Sequence, residues 1–372
     1  IAVFPISKSA ILWTPTTAAF TPRVSHSSAI TSANISPYQG YIDTVAAELQ
    51  EKYGVDPYTV SLKVYTNLDT SKQNAVNSVY NGETYQWIND KVQSAAAVLN
   101  AEDGKILAIG NGRNIGDRIA GKKKQKNYAT DIKRQIGSTA KPLFDYGPGI
   151  EYNNWSTYEM FNDAPYSYSN GRSIKNWDGG YYGNITLRRA LATSRNIPAL
   201  KAFQAVDKNK IGEFVHNVGL DYGDTLYESY AIGGGLTYSP IDMAAAYGTF
   251  ARNGYYIEPY SYTKFVLRET DEVFEQEVSK TKAMSSETAY MITDMLVTAT
   301  ANGVGGRINV SGTEVASKTG TSTYDLNEAR KYGIPDSASA DNWVITYSPD
   351  YVMSIWIGVD GEDVKKGKYT DT

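Results

Sequence analysis

Gly137-Ser138-Thr139-Ala140-Lys141-Pro142 is the stretch on which the reading of this chain turns. Ser138 and Lys141 stand three apart, and residues so spaced on a helix share a face. The lysine amine is then within reach of the serine hydroxyl. Gly137 before the serine and Pro142 after the lysine put Ser138 at or near a helix start. The positive end of a helix dipole disfavours a nearby ammonium, and burial lowers a lysine pKa as well. Both effects favour a neutral Lys141 that takes the proton of Ser138 and so activates it as a nucleophile. The chain has only two histidines, His26 and His216. Neither lies in a catalytic context, and His216 reads as a helix-surface residue.

Two further short motifs follow. Ser194-Arg195-Asn196 comes after the helical run Ile185–Ala192 and before Ile197-Pro198, so it is expected at a helix junction. There Ser194 is suited to relay a proton to a leaving amine, and Asn196 to hold a substrate amide or Lys141. Lys318-Thr319-Gly320-Thr321 alternates as a strand, with Lys318 and Gly320 facing one way and Thr319 and Thr321 the other. Lys318 supplies positive charge near Ser194, and Gly320 lets a substrate backbone lie close to the strand. The N–H groups of Ser138 and Thr321 are candidates for an oxyanion hole. Each motif alone is weak. Ser279 and Lys282 repeat the first spacing, and Ser32-Ala33-Asn34 the second. The order of the three together carries the reading.

Composition narrows the class. The chain has 372 residues, 41% hydrophobic and 20% charged, which reads as globular rather than disordered. A net charge of −4 offers no basic field for nucleic acid. Cysteine is absent, which excludes disulfides and thiolate metal sites. No run of 18 apolar residues is present to span a membrane. The start, Ile1-Ala2-Val3-Phe4, is broken by Pro5 and Lys8 and lacks the form of a signal peptide. The chain is therefore expected to be a piece of something longer. Its 30 tyrosines are read mainly as packing residues.

Along the chain, residues 1–39 read as an extended segment, 41–53 as a helix stopped by Gly54, Leu62 to Tyr65 as a strand, and 71–90 as a helix. Residues 1–90 are taken as a linker module, and 91–372 as the main domain. That domain opens with a hairpin, Ala95–Asn100 and Lys105–Ile109 across Asp103-Gly104. Residues 112–135, with Lys122-Lys123-Lys124, read as a solvated loop. A largely helical stretch covers 138–300. Its best helix is 240–253, with Ser239 as N-cap, Pro240 at N1 and the stripe Met243, Ala246, Tyr247 and Phe250. A second, 286–300, is expected to point Tyr290, Met291, Met295 and Leu296 inward. Strands return at Glu314–Thr323, Trp343–Tyr347 and Tyr351–Ile357. Two strands early and three late predict an α+β fold: a central antiparallel five-stranded sheet flanked by helices, with an all-helical subdomain.

On these three motifs the chain resembles the penicillin-binding proteins, and specifically the transpeptidase half of the bifunctional class A group. The resemblance covers roughly residues 90–360. It includes Gln93–Ala108, Thr186-Leu187-Arg188-Arg189-Ala190-Leu191, Ala231–Pro240, and Asp341-Asn342-Trp343 with Trp356-Ile357-Gly358. What it implies is D,D-transpeptidation of peptidoglycan stem peptides, with no cofactor and no metal. Ser138 attacks the penultimate D-Ala, the terminal D-Ala leaves, and a neighbouring stem's amine takes the acyl group. β-Lactam antibiotics mimic D-Ala-D-Ala and acylate the same serine. The implied site comprises Ser138, Lys141, Ser194, Asn196 and Lys318, with Thr319, Gly320 and Thr321 against the substrate.

The implied location is the outer face of the cytoplasmic membrane, in a Gram-positive cell wall. The membrane anchor and the glycosyltransferase half lie outside this stretch, and the helix that usually follows the last strand is not evident. Two other readings stay open. One is a hydrolase on the same scaffold, a β-lactamase or D,D-carboxypeptidase, for which no carboxylate in a recognisable loop motif is apparent. The other is a penicillin-binding sensor without catalysis, against which the three intact motifs stand.

Overall fold

The computed structural model describes residues 12–15, 36–114 and 126–369. Most of the extended segment, His26, Ser32-Ala33-Asn34 and Lys122-Lys123-Lys124 lie outside the described residues. Strand β1 (Leu12–Pro15) runs parallel to β2 (Leu62–Thr66). Between them α1 (Gln39–Tyr53) ends at Gly54, whose φ of +66° lets its N–H turn back to Gln50 and Leu49. Helix α2 (Thr70–Tyr80) starts under the Asp69 side chain, which accepts from the N–H groups of Ser71 and Lys72. The expected helix to residue 90 stops at Tyr80. Gly82 adopts a φ of +78°, and the Trp87 indole N–H donates to Val79 O at 2.8 Å, so the following residues fold back over the last turn.

Strands β3 (Val92–Asn100) and β4 (Ile106–Gly110) form the expected hairpin across Asp103-Gly104. Two short strands, β5 (Tyr262–Leu267) and β6 (Val273–Glu275), join β2 in a small sheet of order β1-β2-β5-β6. The main sheet is closed by β7 (Ala316–Thr323), β8 (Ser339–Tyr347) and β9 (Tyr351–Val359). Its order is β7-β8-β9-β3-β4, antiparallel throughout. A short helix, Gly361–Val364, follows β9. Val92–Leu99 are buried on both faces of the sheet. No helix among the described residues is long and apolar enough to cross a membrane.

Two helices cover the sheet. Helix α5 (Pro240–Ala251) packs on β3, β8 and β9, and α6 (Ser286–Asn302) packs on β7 and against α5. Ser239 and Asp242 form a reciprocal capping box at the start of α5. The predicted stripe of α5 is buried, but so are Ala244, Ala245, Gly248 and Thr249, because the helix is enclosed on nearly every side. In α6, Met295 and Leu296 point inward as expected and Met291 is half-buried, but Tyr290 is exposed. The buried positions are 288–289, 292, 295–296 and 299–300, a stripe with helical period, and residue 290 falls off it.

The helical region also contains α3 (Leu187–Ala192) and α4 (Asn196–Ala205). Short two-stranded ribbons accompany them, Met160–Asp163 with Gly183–Thr186 and Tyr166–Ser167 with Ser173–Ile174. Tyr41, Val45, Leu49, Leu62 and Val64 belong to the same hydrophobic cluster as Phe144, Leu191, Phe250, Leu296 and Trp343. Residues 36–66 thus share a core with the domain that follows them.

One close approach positions the site. The turn carrying Ser138 lies against β7 with no room for a side chain between them. A Cβ on Gly137 would sit 2.5 Å from Thr321 O, and one on Gly320 would sit 2.3 Å from Ile136 O. Gly137 also has a φ of +53°, a conformation that L side chains resist. Adding a methyl here costs backbone strain of about 1–3 kcal/mol and overpacking of about 1–3 kcal/mol. Gly137→Ala is therefore expected to lower unfolding free energy by at least about 2 kcal/mol in urea denaturation. Gly361→Ala, whose Cβ would meet nothing within 4 Å, serves as the near-neutral comparison.

Candidate active site

Ser138 sits in a 3-10 turn, Gly137–Ala140, rather than in an α-helix. In that geometry side chains three apart come into line, so Ser138 and Lys141 lie on one face. A π turn, Pro142–Tyr146, follows, and then a helix from Gly147. The turn is held from outside by the Tyr247 hydroxyl, which donates to Thr139 O at 2.7 Å. Ser138 is half-buried, while Lys141 behind it is fully buried.

The expected Lys141–Ser138 hydrogen bond is not formed. Lys141 Nζ instead donates to Ser194 O at 2.7 Å and Asn196 Oδ1 at 2.8 Å, and contacts Ser194 Oγ at 3.3 Å. The reason is burial. An amine without water takes the nearest acceptors, and two of these are oxygens that only accept. Catalytic hydrogen bonds are often long in the unliganded state and tighten with substrate. Lys318 Nζ, also buried, donates to Ser194 Oγ and Thr319 O, both at 2.9 Å. Lys141, Ser194, Asn196 and Lys318 thus converge from three distant segments. Strand β7 alternates as predicted, Lys318 and Gly320 buried, Thr319 half-buried and Thr321 exposed. The space a Gly320 side chain would fill is taken by Ile136 O and Thr139.

Burial governs the charges. It holds the Lys141 amine well below the usual lysine range, with repulsion from Lys318 adding to the effect. Lys318 is pushed down to about 7 by the same loss of water.

Ser194 has a φ of +54°, where glycine is the usual occupant. It closes α3. The Arg195 N–H returns to Ala190 O at 2.9 Å and the Ser194 N–H to Leu191 O at 3.1 Å, the pattern that ends helices with a left-handed residue. Arg195 holds this junction in place. Its fully buried guanidinium bonds Asp163 and Asp178 at 2.8 Å each and the carbonyl of Gly180, and it stacks 4.0 Å from the Tyr182 ring centroid. Asn176 completes the frame. Its Oδ1 accepts from the Asn196 N–H at 2.8 Å and caps α4, while its Nδ2 donates to Asp163 at 2.7 Å. The Asn196 amide is oriented from its other end by Lys175 O at 2.9 Å.

Sequence reading gave Arg195 no role and passed over Asp163, Asn176 and Asp178. The one signal was an arginine inside a Ser-x-Asn motif, but its partners cannot be paired from spacing alone. The second Ser-x-x-Lys match, Ser279 and Lys282, is exposed at the surface, with Lys282 in a short strand paired with Tyr255. His216 is exposed on its helix, against Tyr222.

The comparisons agree with this geometry. The penicillin binding protein transpeptidase domain family matches residues 94–371, more than half of the chain. Penicillin-binding protein 1A/1B of Bacillus subtilis is 42% identical over 340 residues, 90% of this chain and 36% of that protein. Penicillin-binding protein 1A of Streptococcus oralis is 33% identical over 352 residues, 91% of this chain and 54% of that protein. The chain thus spans between about a third and about a half of these two relatives. Among solved structures, PonA1 of Mycobacterium tuberculosis superposes with a TM-score of 0.75 at 20% identity, covering 90% of this chain and 86% of that one. A second structure of PonA1, in complex with penicillin V, superposes equally well. With a five-stranded antiparallel sheet that brings three distant motifs into one buried cluster, and a family match that runs from β3 to beyond β9, this chain belongs to the penicillin-binding protein transpeptidases.

Proposed function

We propose that the chain is a D,D-transpeptidase that cross-links peptidoglycan stem peptides through an ester on Ser138. The observation that carries this reading is the convergence of Lys141, Ser194, Asn196 and Lys318 in one buried cluster behind a half-buried Ser138. Lys141, kept neutral by burial, takes the proton as Ser138 Oγ bonds to the carbonyl carbon of the penultimate D-Ala. The N–H groups of Ser138 and Thr321 receive the developing oxyanion. Ser194, bonded to both lysines, passes a proton to the leaving amine of the terminal D-Ala. The amine of a second stem peptide then attacks the ester and releases Ser138. Asn196 holds Lys141, and Thr319 and Thr321 line the strand against which the substrate lies. Gly320 contributes by letting the Ser138 turn approach.

β-Lactams are the second class of ligand. Their strained amide takes the place of the D-Ala-D-Ala bond, and the leaving nitrogen stays tethered. The name of the relatives and the penicillin V complex of PonA1 support this reading. The substrate places the activity at the bacterial cell wall, outside the cytoplasmic membrane.

Intact-mass measurement with benzylpenicillin tests the nucleophile. The unmodified chain is expected to gain one penicillin mass and keep it for many minutes, while Ser138→Ala gains nothing. An increment retained by the alanine variant moves the nucleophile elsewhere, and loss within seconds indicates a hydrolase.

Lys318 has a pH signature. With its pKa near 7, it is cationic below that value and neutral above it. Capture of a carboxylate therefore weakens as pH rises through about 7. Hydrogen bonds to charged groups contribute about 1.5–3 kcal/mol, roughly 10- to 100-fold. Acylation by benzylpenicillin is expected to fall by about that factor in Lys318→Ala, and acylation by the benzylpenicillin methyl ester to fall much less. Equal slowing of both compounds assigns the lysine to the Ser194 proton relay alone.

A further inference from the structure

One motif of the sequence has no role in the steps above. Asp341 and Trp343 of β8 and Trp356 of β9 are buried beside the site rather than in it. Asp341 stands opposite Ser322 on β7, and Trp343 opposite Gly320. Paired residues of adjacent strands share a face, and so do residues two apart on one strand. These four positions therefore form a patch on one face of the sheet. The residues that lead into the Ser138 turn lie along it. Asp341 Oδ1 accepts from Arg134 Nε at 2.7 Å, the Trp343 indole N–H donates to Gln135 O at 2.9 Å, and Gly320 leaves room for Ile136 O. Successive residues are thus fastened one by one to β7 and β8. On their other side Arg134–Gln135 pairs with Thr237–Tyr238, and the Ile136 N–H donates to Leu236 O at 3.2 Å.

Asp341 differs from the other ties because it reaches both ways. Its Oδ1 also accepts from the Trp356 indole N–H at 2.9 Å, and its Oδ2 accepts from Ser322 Oγ at 2.7 Å. Arg134 is aligned for its bond by lying 4.6 Å from the Trp356 ring centroid and by donating from Nη2 to Val359 O at 3.0 Å. Hydrogen bonds to an ionised acceptor are shorter and about twice as strong as neutral ones. Ser322 directly follows Thr321, and Arg134 comes shortly before Ser138. One carboxylate therefore holds both backbone segments that carry the candidate oxyanion donors. Strand β7 needs a tie at this point. It lies at the edge of the sheet, with a neighbour on one side, and its pairing with β8 becomes irregular between Ser322 and Thr323.

We propose that Asp341 is a positioning residue that sets the spacing between the Ser138 and Thr321 N–H groups, and so the width of the oxyanion site. It touches neither the substrate nor the reacting atoms. It acts by keeping the two segments in register while charge develops on the carbonyl oxygen, where a misplacement of about 1 Å costs on the order of 100-fold in rate. The inference rests on the reading that these two N–H groups receive the oxyanion of an ester-forming Ser138.

The test is acylation of Asp341→Asn and of Ser322→Ala by benzylpenicillin, followed over a range of concentrations so that the saturating rate and the half-saturating concentration separate. Displaced N–H donors weaken binding of the transition state and leave binding of the ground state alone. The saturating rate is expected to fall at least ~10-fold, since loss of one oxyanion donor costs roughly 10²–10³-fold, with the half-saturating concentration unchanged. The second readout is the dissociation constant of phenylboronic acid, whose boron bonds Ser138 Oγ and places an oxygen of the tetrahedral adduct in the oxyanion site. It is expected to rise by a similar factor, because the adduct resembles the transition state. A merely structural role would lower the melting temperature without weakening the boronate. Ser322→Ala leaves the Arg134–Asp341 pair in place, so it carries the test if Asp341→Asn does not fold. Unchanged saturating rates in the folded variants overturn the inference, as do slower rates with unchanged boronate affinity. In either case, labelling of the unmodified chain on Ser138 leaves the proposed function standing. Absence of that label overturns both.

Discussion

Ser194 Oγ is contacted by two lysine amines at once, at 2.9 and 3.3 Å, and neither amine touches water. Two ammonium groups so close and so dry repel each other strongly. The fold can keep both lysines there only if one gives up its charge readily. Burial does most to keep Lys141 neutral, and the second lysine placed beside it adds repulsion that pushes the same way. The shared serine hydroxyl both accepts and donates, so it connects the two amines without itself carrying charge.

Holding that hydroxyl in place costs local strain. A serine in the left-handed region is disfavoured by about 1–3 kcal/mol, and Ser194 occupies it at the end of α3. The next residue supplies the restraint. Arg195 is locked from several directions by Asp163, Asp178, Gly180 and Tyr182. A buried ion pair adds little net stability, but breaking it by removing one partner costs about 3–5 kcal/mol. That asymmetry makes the arrangement rigid rather than merely stable. Strain at Ser194 is enforced by charges that have nowhere else to go.

The parts of this molecule that sequence reveals are those whose physics is local. The alternation of Lys318–Thr321, the Asp-Gly turn after β3 and the Ser239 cap each depend on residues a few positions apart, and each is found where the sequence puts it. The sheet follows from counting such strands. Tyr290 was misjudged because aromatic character was read as burial, where the helical period decides. The frame around Arg195 was invisible because residues 163, 176 and 178 meet 195 only through the ribbons that fold back between them. Of the partners the sequence offers Lys141, Asn196 is met and Ser138 is not, for a related reason. Helical spacing says which side chains share a face, but solvent exclusion by distant segments decides which acceptor the amine takes.

The small sheet has a consequence for where the molecule can be cut. Strand β5 leaves the main domain between α5 and α6 and finds in β2, some two hundred positions earlier, the neighbour for one edge. Phe265 on β5 stacks flat on Phe274, and the Tyr53 ring at the end of α1 packs edge-on against both. A fragment trimmed to the family boundary near residue 94 would leave β5 with a bare row of N–H and C=O groups and an uncovered aromatic pair. Such an edge is a template for pairing with other chains. The segment that covers this edge therefore begins well before the piece that carries the motifs.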